Sequence, residues 1–208
     1  MNIFFLLVNF IIVSLSSCNQ EEKENINNNK EIKLGNNIKI IVPLATEGFD
    51  SCQHYSNIEI WKEDTRLYKD TTQTEYRFLC DSAFTKVRQL KDGRFEILLE
   101  VFDAPDLDKL FAIYLKGNKY AGKEIFPYFE KPPSNMDDDG NLECSGVMDI
   151  IDAYENSDDS CYYNPTLYYE ITDLGIKLDS ALTIKKNKEY WGDFYGFDRT
   201  YEIVLPCK

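Results

Sequence analysis

Residues 94–101 read Arg-Phe-Glu-Ile-Leu-Leu-Glu-Val, and Phe95, Ile97, Leu99 and Val101 fall on alternate positions. Side chains of a strand point to opposite faces with a period of two, which no helix can satisfy. The stretch therefore predicts a strand with one apolar face and one, Arg94, Glu96, Leu98 and Glu100, that is largely polar. Asp92-Gly93 stands just before it. That dipeptide suits a two-residue hairpin loop, whose central residues take positive φ, so Phe84–Leu90 is expected to pair antiparallel with it. Leu110–Lys116 is apolar on both faces, as a central strand would be, and Gly117-Asn118 turns it into Lys119–Ile125.

The same period marks strands at Ile38–Val42, Asn57–Lys62, Thr74–Cys80 and Tyr201–Leu205. Ile176, Leu178, Leu182 and Ile184 alternate with Lys177, Asp179, Thr183 and Lys185, predicting a half-buried strand after the turn at Asp173–Gly175. Leu167, Tyr169 and Ile171 supply its partner. Val147, Ile150, Ile151 and Tyr154 depart from this pattern: they fall at i, i+3, i+4 and i+7, a short amphipathic helix with a strand as the alternative. No period of about 20 to 50 residues repeats, which excludes solenoids and propellers. The expected fold is mainly β: a single antiparallel β-sandwich or barrel-like meander with at most one short helix.

The first residues follow other rules. Ile3 to Leu15 is apolar except for Asn9 and Ser14, too short for the ~20 residues that span a bilayer as a helix. It ends in Leu15-Ser16-Ser17-Cys18 and passes at once to Asn19-Gln20-Glu21-Glu22. This arrangement resembles the lipobox of bacterial lipoproteins, in which the Cys thiol receives a diacylglyceryl group before the signal is removed. The resemblance implies a signal peptide at 1–17, lipidation of Cys18 and attachment to a membrane through that lipid. Gln20-Glu21-Glu22 is similar to the acidic export signal that places some lipoproteins of the Bacteroidetes on the outer face of the cell. The implied location is the cell envelope, at the outer membrane. Residues 18–37 are rich in Asn, Glu and Lys, too polar to order themselves, and read as a disordered tether. Extended at ~3.3 Å per residue it reaches about 60 Å. One β-rich domain, 38–208, follows.

Six cysteines accord with an oxidising compartment. With Cys18 lipidated, Cys52, Cys80, Cys144, Cys161 and Cys207 remain. Local pairing predicts Cys52–Cys80 and Cys144–Cys161, with Cys207 left over, although spacing alone does not decide connectivity. No two of them form a Cys-x-x-Cys pair, and His54 is the one histidine, so a zinc site is not indicated.

The acidic stretch Asn135-Met136-Asp137-Asp138-Asp139-Gly140-Asn141-Leu142-Glu143 resembles the first half of an EF-hand calcium loop. Asn135, Asp137 and Asp139 hold positions one, three and five, Gly140 the sharp turn at six, and Leu142 the apolar position eight. A hard cation wants several oxygens converging within one tight turn. Gly146 occupies position twelve, where a bidentate Glu belongs, so Glu143 or Asp149 would complete a looser site. The alternative is a solvated acidic turn after Pro132-Pro133. No cofactor is required by the rest of the chain; calcium is the one this loop points to.

Aromatic residues crowd the C-terminal third. Among them Tyr168, Tyr190, Trp191 and Tyr195 are candidates for a surface that stacks on sugar rings or anchors a protein partner, against the alternative that they are core. Gly192 and Gly196 place a loop through Trp191–Phe197. The formal net charge of −13 is the wrong sign for nucleic acid and favours a basic partner or a metal ion. No Gly-x-Ser-x-Gly, His-Glu-x-x-His or phosphate loop is present, and no catalytic residue is assigned. The expected function is a non-enzymatic, lipid-anchored envelope protein whose β-domain binds a ligand, a glycan or a partner. Two alternatives are an inhibitor or immunity-type lipoprotein, which turns its acidic loop on a basic antagonist enzyme, and a hydrolase of envelope polymers.

Overall fold

The computed structural model describes residues 29–35, 37–43, 53–70, 75–78, 86–102, 108–129, 131–149, 153–154 and 157–207. The signal peptide, Cys18, Cys52 and Cys80 lie outside the described residues. The strands form four open antiparallel sheets, a layered sandwich and not a closed barrel. The first sheet runs β1 (Asn29–Gly35), β2 (Ile38–Pro43), β4 (Glu59–Lys62), β5 (Thr65–Lys69). The second runs β10 (Lys119–Pro127), β9 (Lys109–Lys116), β8 (Arg94–Phe102), β6 (Glu75–Phe78), β3 (Gln53–Ser56), and β7 (Lys86–Gln89) also pairs with β8. The third is β11 (Glu143–Gly146), β14 (Leu167–Thr172), β15 (Gly175–Leu178), and the fourth β12 (Ala153–Tyr154), β13 (Ser157–Tyr163), β16 (Thr200–Pro206). Helix α1 (Ser180–Trp191) follows β15.

The second sheet is the middle layer. One face of β8 and β9, carrying Ile97, Leu99, Val101, Phe111, Ile113 and Leu115, packs against Ile38, Ile40, Ile58 and Ile60 of the first sheet and its lead-in. The opposite face, with Leu98, Leu110, Ala112 and Tyr114, packs against Cys144, Leu167, Tyr169 and Ile176 of the third sheet. Each fully buried aliphatic side chain contributes about 1.5–3 kcal/mol, so the two clusters dominate the stability of the domain. The face of β8 expected to be solvated is therefore covered: Glu96 is 0% exposed and Glu100 3%. Burial on both faces is the reason β9 reads as a continuous apolar run.

Two elements differ from the sequence expectation. The tether ends early, because Asn29–Gly35 pairs with β2, from Asn29↔Pro43 to Gly35↔Ile38. The ladder supplies order that its polar composition does not, and Asn37, at φ 59°, makes the turn. The helix also sits elsewhere. Ala153–Tyr154 is a strand pairing with β13, whereas the run through Leu182 and Ile184 is helical.

The cause lies in the open edge of β14. Its partner β15 stops at Leu178, so on that side Thr166 and Tyr168 have no strand beside them, while Tyr168 keeps Ser145 of β11 on the other. Thr183 Oγ1 accepts from Tyr168 N at 3.0 Å, and Asn187 binds both sides of Thr166, accepting from its N at 3.0 Å and donating to its O at 2.7 Å. Four helical residues rise about 6 Å and two strand residues about 6.8 Å, so side chains at i and i+4 stand in for a missing strand. Asp179 caps the helix, accepting from Leu182 N at 2.9 Å. The buried stripe is Leu182, Thr183, Asn187 and Trp191. Half of it is polar, which hides the helical period from a hydrophobicity reading.

The fourth sheet overturns the Cys144–Cys161 pairing: Cys161 is bonded to Cys207, with Cα atoms 5.1 Å apart. The β13–β16 ladder places Cys161 opposite Leu205, and Cys207 N donates to Asp159 O. Cys144 is a buried thiol in the third sheet, donating to Tyr169 O at 3.7 Å. Long-range strand pairing thus decides the connectivity, and the acidic region is not stapled by Cys144.

Two outcomes follow in urea unfolding of the full chain. Asn187→Ala should lower stability by about 1–3 kcal/mol, because it strips polar partners from Thr166, while exposed Lys188→Ala changes it by less than about 0.5 kcal/mol; equal losses would show that α1 does not cap the sheet edge. Cys207→Ser should lower stability by about 2–4 kcal/mol, and peptide mapping under non-reducing conditions should link Cys161 to Cys207 and leave Cys144 alkylatable after unfolding.

Candidate functional site

The acidic loop is closed at its base by a reciprocal backbone pair. Ser134 N donates to Glu143 O at 2.9 Å, and Glu143 N to Ser134 O at 2.8 Å. Within the loop Asp139 N donates to Asp137 Oδ1 at 3.2 Å, and Asn141 N to Asp139 Oδ1 at 2.8 Å. These side-chain turns, together with positive φ at Asp138 (65°) and Gly140 (95°), coil the chain tightly. As a result one carboxylate oxygen from each of Asp137, Asp139 and Glu143 lies within 4.8 Å of the others. Asn135 is exposed at the start of the loop, and Asp149 is exposed outside this group.

Glu143 differs from the two aspartates. As the first residue of β11 it pairs with Glu170 of β14 and is 1% exposed. Its Oε2 accepts from Met136 N at 2.6 Å, and its buried Oε1 has no hydrogen-bond partner among the described residues. Burial foremost pushes its carboxyl above the usual glutamate range; the Met136 N–H opposes this, and the charges of Asp137, Asp139 and Asp179 add to it. A raised folded pKa means the folded state holds the proton more tightly than the unfolded chain. That contribution to stability is complete below the ordinary glutamate range and is lost as pH rises through the folded value. At neutral pH an ionised Glu143 therefore costs the bare fold stability.

Position twelve of the loop is Gly for a packing reason. A Cβ on Gly146 would lie 2.4 Å from the Tyr128 carbonyl oxygen and 2.9 Å from Pro127 Cβ. No side chain fits there, and Glu143, earlier on the same strand, holds the carboxylate at the base of the loop instead.

The aromatic candidates divide. Tyr190, Trp191, Tyr163 and Tyr195 form a chain of edge-to-face rings with centroids 4.9, 5.7 and 5.2 Å apart in that order. Trp191 and Tyr163 are buried, the latter donating its hydroxyl to Gly196 O at 2.7 Å. Tyr190 and Tyr195 remain 41% and 40% exposed. Trp191 is thus floor rather than surface, and Tyr163, which the sequence placed only in a general aromatic crowd, is its companion. Tyr168 takes no part in this chain of rings. It is half-buried beside α1, and burial raises its hydroxyl pKa, with the Lys186 charge opposing and the Glu189 charge adding. A separate cleft, about 250 Å³, opens between Tyr128, Lys131, Ser145, Val147 and Thr166.

Comparison with protein-family models, with curated proteins and with solved structures finds no match to this chain. Its chemistry is therefore read from the residues alone. Trp191→Ala should cost about 3–5 kcal/mol, whereas Tyr190→Ala and Tyr195→Ala should each cost less than about 1 kcal/mol, as thermal unfolding followed by near-UV circular dichroism will resolve. Comparable losses at all three positions would make the exposed rings structural.

Proposed function

We propose that this chain is a lipid-anchored protein of the bacterial cell envelope, at the outer membrane, whose β-domain binds a ligand or partner without catalysing a reaction. Leu15-Ser16-Ser17-Cys18, with its apolar approach and polar exit, is the observation that carries the reading. The Cys161–Cys207 bridge supports the same address, since such bonds persist in oxidising compartments. For the contact itself, Tyr190 and Tyr195 present exposed rings on the floor of Trp191 and Tyr163, a rigid amphipathic surface suited to a glycan or to a protein side chain. The net charge of −13 repels nucleic acid and favours neutral or basic partners.

Two other readings have less support. A loop that plugged a basic enzyme would present its carboxylates outward, whereas Glu143 is turned inward with Asp137 and Asp139 gathered toward it. A hydrolase needs carboxylates across a groove. Glu96 and Glu124 do meet at the Tyr114 hydroxyl, yet Glu96 is 0% exposed and beyond the reach of a polymer.

Metabolic labelling with radioactive palmitate in bacteria expressing the full chain tests the anchor. The wild type should carry the label in the membrane fraction and Cys18→Ala should carry none. Equal labelling of the two would sink the proposal.

A further inference from the structure

We propose that Asp137, Asp139 and Glu143 form a binding site for one calcium ion. The inference goes beyond the anchor and does not rest on it. Two independent observations meet at this loop. Three carboxylate oxygens, drawn from one turn and the strand that follows it, lie within 4.8 Å of one another. At its base Glu143 is 1% exposed, with an oxygen, Oε1, that nothing among the described residues satisfies. A buried carboxylate oxygen without a partner normally costs stability, and a cation is the one ligand class that would satisfy it while neutralising the two aspartates beside it.

The ligand set suits calcium, which takes oxygens at about 2.3–2.6 Å in a flexible geometry that admits a buried strand carboxylate beside two from a turn, while magnesium at about 2.0–2.1 Å demands a near-ideal octahedron. Hydrogen bonds already made do not use up the aspartates. Asp139 Oδ1 accepts from Asn141 N and Oδ2 from Asn141 Nδ2 at 3.0 Å, and each oxygen keeps a second lone pair. The two sides of the site are held differently. Glu143 is fixed by its ladder to β14 and by Ile171 N donating to Leu142 O at 2.8 Å, whereas Asp139 rides on the exposed turn. Three charges, two of them on a turn open to water, place the affinity in the range of extracellular modules, roughly 10⁻⁴–10⁻³ M.

The test is calorimetry and thermal unfolding of the full chain, purified in detergent and stripped with chelator, with calcium chloride as titrant and magnesium chloride as control. One calcium should bind per chain and raise Tm. Glu143→Gln and Asp139→Asn should each weaken binding by roughly tenfold or more. Asp139 is exposed, and its amide replacement keeps an acceptor for Asn141 N, so that variant should hold its fold even if Glu143→Gln does not. The proposal is overturned by the absence of saturable heat and of any Tm shift up to about 10 mM calcium, well above the expected Kd. It is equally overturned by unchanged affinity in Asp139→Asn, or by magnesium binding as tightly as calcium.

Discussion

Glu96 sits in the middle of the molecule with no exposed surface, and an ionised carboxylate in that position needs a cation. Arg88, directly opposite on β7, provides it through Nε to Glu96 Oε2. The other end of the same guanidinium donates from Nη1 to Thr172 O at 3.2 Å. The Tyr114 hydroxyl lies 3.3 Å from Glu96 and 3.0 Å from Glu124, and burial with those two charges drives its pKa well above the ordinary phenol value. The ion pair thus fastens the tip of one hairpin to the tip of another. Lys91 N donates to Asp173 O at 2.9 Å and Arg94 Nη2 to Leu174 O at 3.0 Å along the same seam. Apolar packing between the second and third sheets is non-directional; these polar contacts set their alignment. The rest of the third sheet, including β11, which carries Glu143 and pairs with β14, takes its position from that alignment.

Much of this frame was legible from alternation alone. The hairpins at Asp92-Gly93 and Gly117-Asn118, the central place of β9 and the pairing of β14 with β15 all follow from period two and turn chemistry. The faces were harder to read. Glu96 and Glu100 look like a solvated side of β8 because a charged residue is assigned to water by default, and only tertiary structure supplies Arg88 from the neighbouring strand β7 and the lid of Leu167, Tyr169 and Ile176 from the layer above. Helix α1 escaped for a related reason. Its buried positions include Thr183 and Asn187, whose role is to bond the bare edge of β14, so apolar periodicity could not register them. The Cys144–Cys161 pairing failed because sequence proximity is a poor guide once β13 and β16, far apart in the chain, lie side by side.

The acidic loop was the most readable part of the candidate site, since Asp137, Asp139 and Gly140 fall at the spacing a tight oxygen-lined turn requires. What the spacing could not convey was which residue closes it. The collision that a Cβ at Gly146 would have with Tyr128 is a tertiary fact, and it moves the closing carboxylate back to Glu143. The aromatic candidates show the complementary limit. Composition finds the rings but not their depth, and depth alone separates Trp191 beneath from Tyr190 and Tyr195 above.

Glu96 and Glu143 are two buried glutamates treated in opposite ways. Glu96 meets a guanidinium and a phenol, and its charge is answered inside the protein. Glu143 meets one backbone N–H and three further negative side chains, so its charge is answered by nothing the described chain supplies. A core that needed only to be stable would hold a Met or a Leu at such a position, where removing a buried charge is neutral or favourable. Local disagreement between a residue and its surroundings, in a fold otherwise consistent from turn to layer, is where function is expected to reside. The imbalance at Glu143 has a sign and a place, with one oxygen each of Asp137 and Asp139 within 4.8 Å of its own. Both favour a small cation over a basic side chain, because a lysine or arginine from a partner would bring its bulk into a turn closed at its base by Ser134 and Glu143.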